Sequence, residues 1–253
     1  MELILGIFAV SAGTVLLPSL ADAAKRGEWA AYSERLGKTL DKLLLVTIPV
    51  AVFSMVAGQE IVTLLFKRGG FTDESVRLTA QAFFWHQTGL AFIAANRVIA
   101  PAFYARSDSK TPAYAGIASF GVNILLVWFL ATPFKGPGIA FALSFSSAVN
   151  TGILALMLLK GGTAGMAEAL GANFRYAAKL LAFSLAAAAP AILLRKPLLS
   201  AFASPSALAG AGLPLLAMAF VYGVVGIGLL WISKDPTAAS LASGLRGKRS
   251  AGG

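Results

Sequence analysis

Long apolar runs without charge constrain this chain more than any other feature of its sequence. The runs at 113–131, 138–159 and 207–232 contain no charged residue. About 20 apolar residues are enough to cross the ~30 Å hydrocarbon core of a bilayer. Only 13% of the residues are charged, whereas soluble domains carry about 25%. The sequence therefore predicts an all-α integral membrane protein.

Seven apolar runs qualify as membrane spans: 3–20, 42–58, 76–104, 113–131, 138–159, 177–194 and 207–232. The polar stretch after the first run has an apolar residue every three or four positions, at Trp29, Tyr32, Leu36 and Leu40. This spacing predicts a short amphipathic helix near 22–40 that lies in the membrane interface.

The runs divide the chain into four parts. We expect five spans within 1–160, a linker at 161–173, two further spans within 174–233 and a basic tail at 234–253. Loops on one side of the predicted membrane hold 14 Lys and Arg residues, and those on the other hold 6. The positive-inside rule then places the C-terminus in the cytoplasm and the start of the first span outside. Because no signal peptide precedes that start, we expect a truncated or split protein, or an internal methionine at Met1.

Composition also argues against several classes of function. The chain has no cysteine, so disulfides and thiolate metal sites are excluded, and a single histidine, His86, excludes a multi-histidine metal cluster. The net charge of +10 is typical of loop topology and contacts with anionic phospholipids, and we expect no nucleic-acid partner. Without paired acidic or nucleophilic residues, a membrane enzyme is the weakest alternative, and we expect no catalytic residue and no cofactor.

Three short motifs punctuate the apolar runs: GTVLLPSLADA at 13–23, LLFKRGGFT at 64–72 and APAFYARSDSKTP at 100–112. In the first and third, an apolar helix meets a proline, small or aromatic residues and a charged loop, which hints at an internal repeat. Together the motifs resemble the C-terminal half of the MurJ (MviN) lipid II flippase family, within the multidrug/oligosaccharidyl-lipid/polysaccharide transporter superfamily. The resemblance covers 3–160, and 174–232 match the family's two additional C-terminal helices by position and hydropathy.

This resemblance implies fourteen helices, arranged as two six-helix lobes and a terminal pair. The lobes would enclose a cationic cavity for the diphosphate-sugar headgroup of lipid II, which crosses the bacterial inner membrane by alternating access. This chain would supply the eighth to fourteenth helices. The N-terminal lobe, in the same or a separate chain, would then be a partner, and cell-wall synthesis proteins are a further expected partner.

Arg97 is a charged residue inside an apolar run, seven residues before its predicted cytoplasmic end and hence about 10 Å deep. It either faces the cavity and binds phosphate, or extends its side chain to the cytoplasmic interface, or forms a structural ion pair. His86 and Arg97 share a helical stripe through positions 90 and 93. With the neighbouring Asn96, they are the candidate substrate-binding residues.

The loop after this run holds Arg106, Asp108 and Lys110 within five residues. We expect a local hydrogen-bonded turn in which Ser107 or Asp108 caps the next helix. The alternative is that these charges steer anionic headgroups towards the cavity.

Amide and hydroxyl side chains lie within the fourth and fifth runs, notably Asn123, Asn150 and Thr151. Their oxygens could bind a coupling cation, with the membrane potential as another energy source. Interhelical hydrogen bonding is the favoured interpretation, because no carboxylate accompanies either asparagine at helical spacing. Glu60 is expected to lie at a solvated helix end rather than to act in gating.

Two further functions remain open at this point. In the first alternative, the chain is part of a related exporter of lipid-linked oligosaccharides or drugs. In the second, it is a membrane interaction protein that transports nothing. Competition in a flipping assay separates the first from a lipid II flippase, and binding without flipping identifies the second.

Overall fold

A computed structural model describes residues 16–202, 204, 206, 208–241 and 243, and its regular structure is helical, with no strand in those residues. The helices are α1 at 16–25, α2 Trp29–Val56, α3 Gly58–Phe66, α4 Asp73–Thr88, α5 Leu90–Tyr104, α6 Lys110–Lys160, α7 Met166–Ala201 and α8 Leu213–Ile232. A π-helical turn, Leu208–Gly212, leads into α8. The all-α prediction is confirmed, and most of the predicted first span at 3–20 lies outside the described residues.

Four helical segments are long and apolar enough to cross a membrane: Trp29–Val56, Lys110–Lys160, Met166–Ala201 and Leu208–Ile232. The 51 residues of α6 would be about 75 Å long if straight, far more than a bilayer needs. Instead the helix turns back at Lys135, whose φ of 51° is left-handed. Asn123 Nδ2 reaches Ser146 Oγ across the turn at 3.4 Å. The two halves of α6 are therefore antiparallel and correspond to the predicted fourth and fifth spans.

The turn in α6 is tight, and glycine makes it possible. A Cβ atom on Gly138 would lie 2.4 Å from the carbonyl oxygen of Leu130. Pro133 and Pro137 flank the turn, where their missing N–H groups and fixed φ interrupt the helix. The sequence KGPG thus specifies a helical hairpin.

The predicted interfacial helix near 22–40 is wrong as a separate element. After a short turn, α2 runs without interruption from Trp29 to Val56. Tyr32 and Leu36 are fully buried in the main core, and the Tyr32 hydroxyl donates a hydrogen bond to the Ala102 carbonyl in α5. The same three-and-four spacing arises whether a helix faces lipid headgroups or protein. Here the stripe faces protein.

The predicted third span at 76–104 is two helices, α4 and α5, separated at Gly89. The reason is a close approach to α6, because a Cβ on Gly89 would lie 2.6 Å from Ser144 Cα. Ser144 Oγ donates to the Trp85 carbonyl at 2.7 Å, which satisfies a backbone acceptor near the break. The break at Gly89 is therefore stabilised both by close packing against α6 and by the hydrogen bond from Ser144.

The predicted linker at 161–173 is helical from Met166 onwards, so that boundary is wrong. Gly162, with φ of 63°, and Gly165, with φ of 74°, take the left-handed conformation, and α7 begins directly after Gly165. Asn173 is buried and donates from Nδ2 to the Gly37 carbonyl at 2.9 Å and to Asp41 Oδ1 at 2.7 Å. These contacts attach α7 to α2 along the supposed linker.

Helix α8 packs on α7 and α2, and its Tyr222 hydroxyl donates to the Pro49 carbonyl at 2.9 Å. After α8, the buried carboxylate of Asp235 accepts from Lys179 Nζ at 2.7 Å and from the Ala238 amide at 3.0 Å. Burial raises the pKa of Asp235, but these hydrogen bonds outweigh burial and the net pKa is lowered. Most of the basic tail, including Arg246, Lys248 and Arg249, lies outside the described residues.

Candidate functional site

Arg97 lies on α5 with an exposed side chain, while its neighbours on the other faces of the helix are buried. Ala94 and Val98 are 0% exposed and Ile99 is 2% exposed. Helix α5 packs against both α2 and α6, and these two contacts account for the buried faces. The positive charge is therefore held at the surface of the helix bundle within an apolar helix.

An apolar groove of about 710 Å³ runs between α2, α4, α5, α6 and α7. Helix α5 lines it with Ala91, Phe92, Ala95 and Ile99, and α7 lines it with Leu181 and Leu185 among others. At 100° per residue, the groove-lining positions of α5 are on the opposite side of the helix from Arg97. Arg97 thus faces away from the groove and from α7.

The predicted stripe of positions 86, 90, 93 and 97 is not a continuous exposed face. His86 is half-buried near the end of α4, Leu90 is only 2% exposed at the start of α5, and Gly89 separates them. The predicted stripe requires one regular helix through all four positions, and the break at Gly89 means that this condition is not met. His86 and Arg97 therefore occupy different environments.

Asn96 and Thr151, predicted for two different sites, are hydrogen-bonded to each other. Thr151 Oγ1 lies 2.9 Å from Asn96 Oδ1, to which it can donate, and 3.2 Å from the Phe92 carbonyl. Asn96 Nδ2 donates to the Ser147 carbonyl at 3.2 Å. Both side chains connect α5 to the second half of α6. Asn96 and Thr151 are 55 positions apart on different spans, so no local sequence pattern predicts that they pair.

The remaining ion-binding candidates lie on the two arms of the α6 hairpin. Asn123 Nδ2 contacts Ser146 Oγ at 3.4 Å, whereas Asn150 Oδ1 is buried and accepts no hydrogen bond from the described residues. Within the described part of the chain, no group of three or more acidic or histidine side chains is suited to a metal ion. The two arms themselves, between 111 and 159, contain no acidic residue, so the side-chain oxygens that they offer are neutral.

Of the three loop candidates, Asp108 makes the local turn, whereas Arg106 contacts distant segments of the chain. Asp108 Oδ1 accepts from the backbone N–H groups of Lys110 at 3.1 Å and Thr111 at 3.0 Å. Hydrogen bonds from the Thr111 side chain and backbone lower the pKa of Asp108. Arg106 donates to Thr163 Oγ1 at 3.2 Å, and its guanidinium lies 5.7 Å from the centre of the Trp29 ring. Arg106 thus joins three segments, while Lys110 is exposed.

Sequence reasoning missed an ion pair at the opposite end of the bundle. Glu60, expected at a solvated helix end, is only 3% exposed, so that expectation is wrong. Its Oε1 accepts from Arg195 Nε at 2.7 Å, and Arg195 also donates to Gln59 Oε1 at 3.0 Å. The pair connects α3 to α7, and the 135-residue separation of its members hides it from sequence patterns.

Comparisons with known proteins agree with this architecture. The family model described as lipid II flippase MurJ matches residues 1–207. A protein of Treponema pallidum named a probable lipid II flippase MurJ is 35% identical over 239 residues, covering 94% of this chain and 45% of that protein. A protein of the same name from Thermotoga maritima is 34% identical over 145 residues, or 57% of this chain and 30% of that protein.

A solved structure titled "Lipid II flippase MurJ, inward closed conformation" has the same fold, with a TM-score of 0.68 at 21% identity. The alignment covers 92% of this chain and 45% of that structure's chain. The chain therefore spans less than half the length of the relatives it matches.

Proposed function

This chain belongs to the lipid II flippase MurJ family, and on that premise we propose that it forms one half of a transporter for lipid II. It is a multi-pass membrane protein. The proposed substrate is the undecaprenyl-diphosphate-linked peptidoglycan precursor, moved from the inner to the outer leaflet of the bacterial inner membrane. The other half of the transporter is a second helical lobe.

The observation that supports this proposal is the position of Arg97. A charge within a membrane helix costs about 2.5–3.5 kcal/mol on insertion scales, so such residues usually face protein or water. Arg97 is exposed on the face of α5 that points away from the apolar groove and from α7. A second lobe placed on that face would convert it into the wall of a cavity. The planar guanidinium matches the oxygens of a phosphate through two parallel hydrogen bonds.

The proposed mechanism is alternating access without covalent chemistry. The two lobes rock about the bound headgroup, while the polyprenyl chain stays in the hydrocarbon region. Arg97 binds the diphosphate. On the cytoplasmic side, Lys110 attracts anionic phospholipids and incoming headgroups, with the C-terminus on that side. Contacts with cell-wall synthesis proteins are part of this proposal.

A chimaera tests the proposal. The N-terminal half of the Treponema pallidum relative is joined to this chain and expressed in bacteria depleted of their own flippase. We expect growth with the unaltered chimaera and none with Arg97→Glu. Arg77→Glu is the matched control, because Arg77 is exposed and forms an ion pair with the exposed Glu74. Equal lipid II translocation by the Arg97→Glu and Arg77→Glu proteins would refute the substrate role.

We further propose that Asn150 contributes a carbonyl oxygen to a coupling cation. Its buried Oδ1 accepts no hydrogen bond from the described residues, and a buried oxygen without a donor is costly. Neutral carbonyl oxygens coordinate monovalent cations, as the carbonyl rings of potassium channels do. Lipid II transport by the chimaera is measured in sodium and in choline buffers. Equal rates, or an unchanged sodium dependence in Asn150→Leu, would contradict this role.

A further inference from the structure

We infer that Asn96 and Thr151 are positioning residues that fix the rotation of α5, so that Arg97 faces the substrate cavity. This inference rests on the proposed function, because it assigns a purpose to the orientation of Arg97. Neither residue contacts the substrate in this account. They act through the helix that carries Arg97.

The contacts between α5 and α6 allow a single register. The Asn96 amide donates to the Ser147 carbonyl at 3.2 Å and accepts from the Thr151 hydroxyl at 2.9 Å. The Thr151 hydroxyl also lies 3.2 Å from the Phe92 carbonyl, one helical turn before Asn96, and 3.0 Å from the Ser147 carbonyl of its own helix. Its single proton can be donated to one of these acceptors at a time. The donor and the acceptor of the Asn96 amide, and the backbone of α5 one turn earlier, thus all contact the same turn of α6. Rotation by one residue position, 100°, would break all of these contacts.

Apolar packing is not the only contact that specifies this rotation. The buried side of α5 holds the large residues Leu90, Val98, Ile99 and Phe103 as well as three alanines. Burial of apolar surface is non-directional, whereas a hydrogen bond has a fixed direction. In such a setting, a polar pair is a known means of specifying helix register. Because Arg97 follows Asn96 directly, the bond that fixes one side chain also fixes the direction of the other.

The experiment measures ligand affinity and stability separately. This chain is joined to the N-terminal half of the Treponema pallidum relative, as in the chimaera above, so that both walls of the cavity are present. The chimaera is placed in phosphatidylcholine nanodiscs, and its Kd for farnesyl diphosphate is measured, with farnesol as the uncharged control. The key variant is Thr151→Val, which keeps the shape of the side chain and removes the hydroxyl. Thr151→Ser keeps the hydroxyl. Thr47→Val is the matched control, because the buried Thr47 hydroxyl bonds within its own helix, to the Leu43 carbonyl at 2.9 Å, and to no other helix among the described residues.

We expect Thr151→Val to raise the Kd about threefold to tenfold, the range that one interhelical hydrogen bond provides. Asn96→Leu should raise it at least as much, and Thr151→Ser should restore the Kd of the unaltered chimaera. Thr47→Val should leave the Kd unchanged, whichever way it shifts the melting temperature. A purely structural role for Thr151 would give the Thr47→Val pattern and overturn the inference.

Arg97→Gln distinguishes this failure from failure of the proposed function. We expect Arg97→Gln to weaken farnesyl diphosphate binding at least tenfold, as for loss of a charge-assisted hydrogen bond. If Arg97→Gln weakens binding and Thr151→Val does not, the positioning role is wrong and the proposed function stands. If the unaltered chimaera shows no preference for the diphosphate over farnesol, or Arg97→Gln has no effect, both proposals are refuted.

Discussion

Replacing Gly89 with alanine tests the account of the break between α4 and α5. The backbone of Gly89 has φ of −90° and ψ of −10°, values that alanine adopts without strain. In an open position, this substitution would stabilise the protein by about 0.4–1 kcal/mol through the unfolded state. Any destabilisation must therefore come from packing against α6.

The structure gives the size of that packing conflict. The new Cβ would lie 2.6 Å from both Cα and Oγ of Ser144, whereas ordinary contacts begin at 3.4 Å. The two helices must therefore separate by about 0.8 Å, and the 2.7 Å hydrogen bond from Ser144 Oγ to the Trp85 carbonyl lengthens with them. Overpacking costs about 1–3 kcal/mol and the weakened interhelical bond about 0.6 kcal/mol. After the gain from the unfolded state, we expect a net loss of about 2 kcal/mol.

The assay is reversible unfolding by dodecyl sulfate in mixed micelles, followed by helix content. Gly116→Ala and Gly121→Ala are the controls, because a Cβ at either helical position meets no atom within 4 Å. Both controls should be as stable as the unaltered chain or slightly more stable. A Gly89→Ala protein as stable as these controls would refute the close approach of α4–α5 to α6.

The same assay checks three other predictions. Arg195→Ala should cost about 3 kcal/mol, because it leaves the buried Glu60 carboxylate without its cation, and adding Glu60→Gln should recover part of the loss. Asp108→Ala should cost about 1 kcal/mol at pH 7 as a lost helix cap. The folded pKa of Asp108 is lowered, so its contribution to the free energy of unfolding is complete above the unfolded pKa of about 4 and is lost as the pH falls through the folded pKa. If the unaltered and Asp108→Ala proteins differed in stability by the same amount at pH 7 and pH 3, this account would be contradicted. Tyr222→Phe should cost about 0.6 kcal/mol by losing its bond to Pro49, and a neutral result would mean that water or lipid replaces the hydroxyl.

The sequence was sufficient for features that depend on local chemistry. The hairpin of α6 agrees with the separate spans predicted at 113–131 and 138–159, and the KGPG sequence between them specifies the turn, because proline and glycine restrict or free the backbone of their own residues. The cap by Asp108 was predictable for the same reason, since an aspartate before a helix bonds to N–H groups two or three positions ahead. Neither feature requires knowledge of distant parts of the chain.

Features that depend on distant partners were not predictable from local pattern. The break at Gly89 requires Ser144, 55 positions later, and nothing in the run 76–104 indicates that a serine will approach it. Glycines near Gly165 suggested a linker, but Asn173 finds acceptors on α2 and keeps the segment helical. Asn96 and Thr151 were correctly singled out as polar residues within spans, yet their pairing emerged only from the structure.

The tight turn at Lys135 has a consequence for how the protein is made. Lys135 is the one charged residue between 111 and 159, and the antiparallel arms bring both ends of α6 back to the same membrane face. Insertion of the hairpin therefore requires a single charge to pass through the translocon, at a cost of about 2.5–3.5 kcal/mol at the bilayer centre. The arm at 113–131 contains nine Leu, Ile, Val and Phe residues, each favouring insertion by about 0.3–0.6 kcal/mol. One arm offsets the transfer of the lysine, so the two arms can enter the membrane together as one unit of biogenesis.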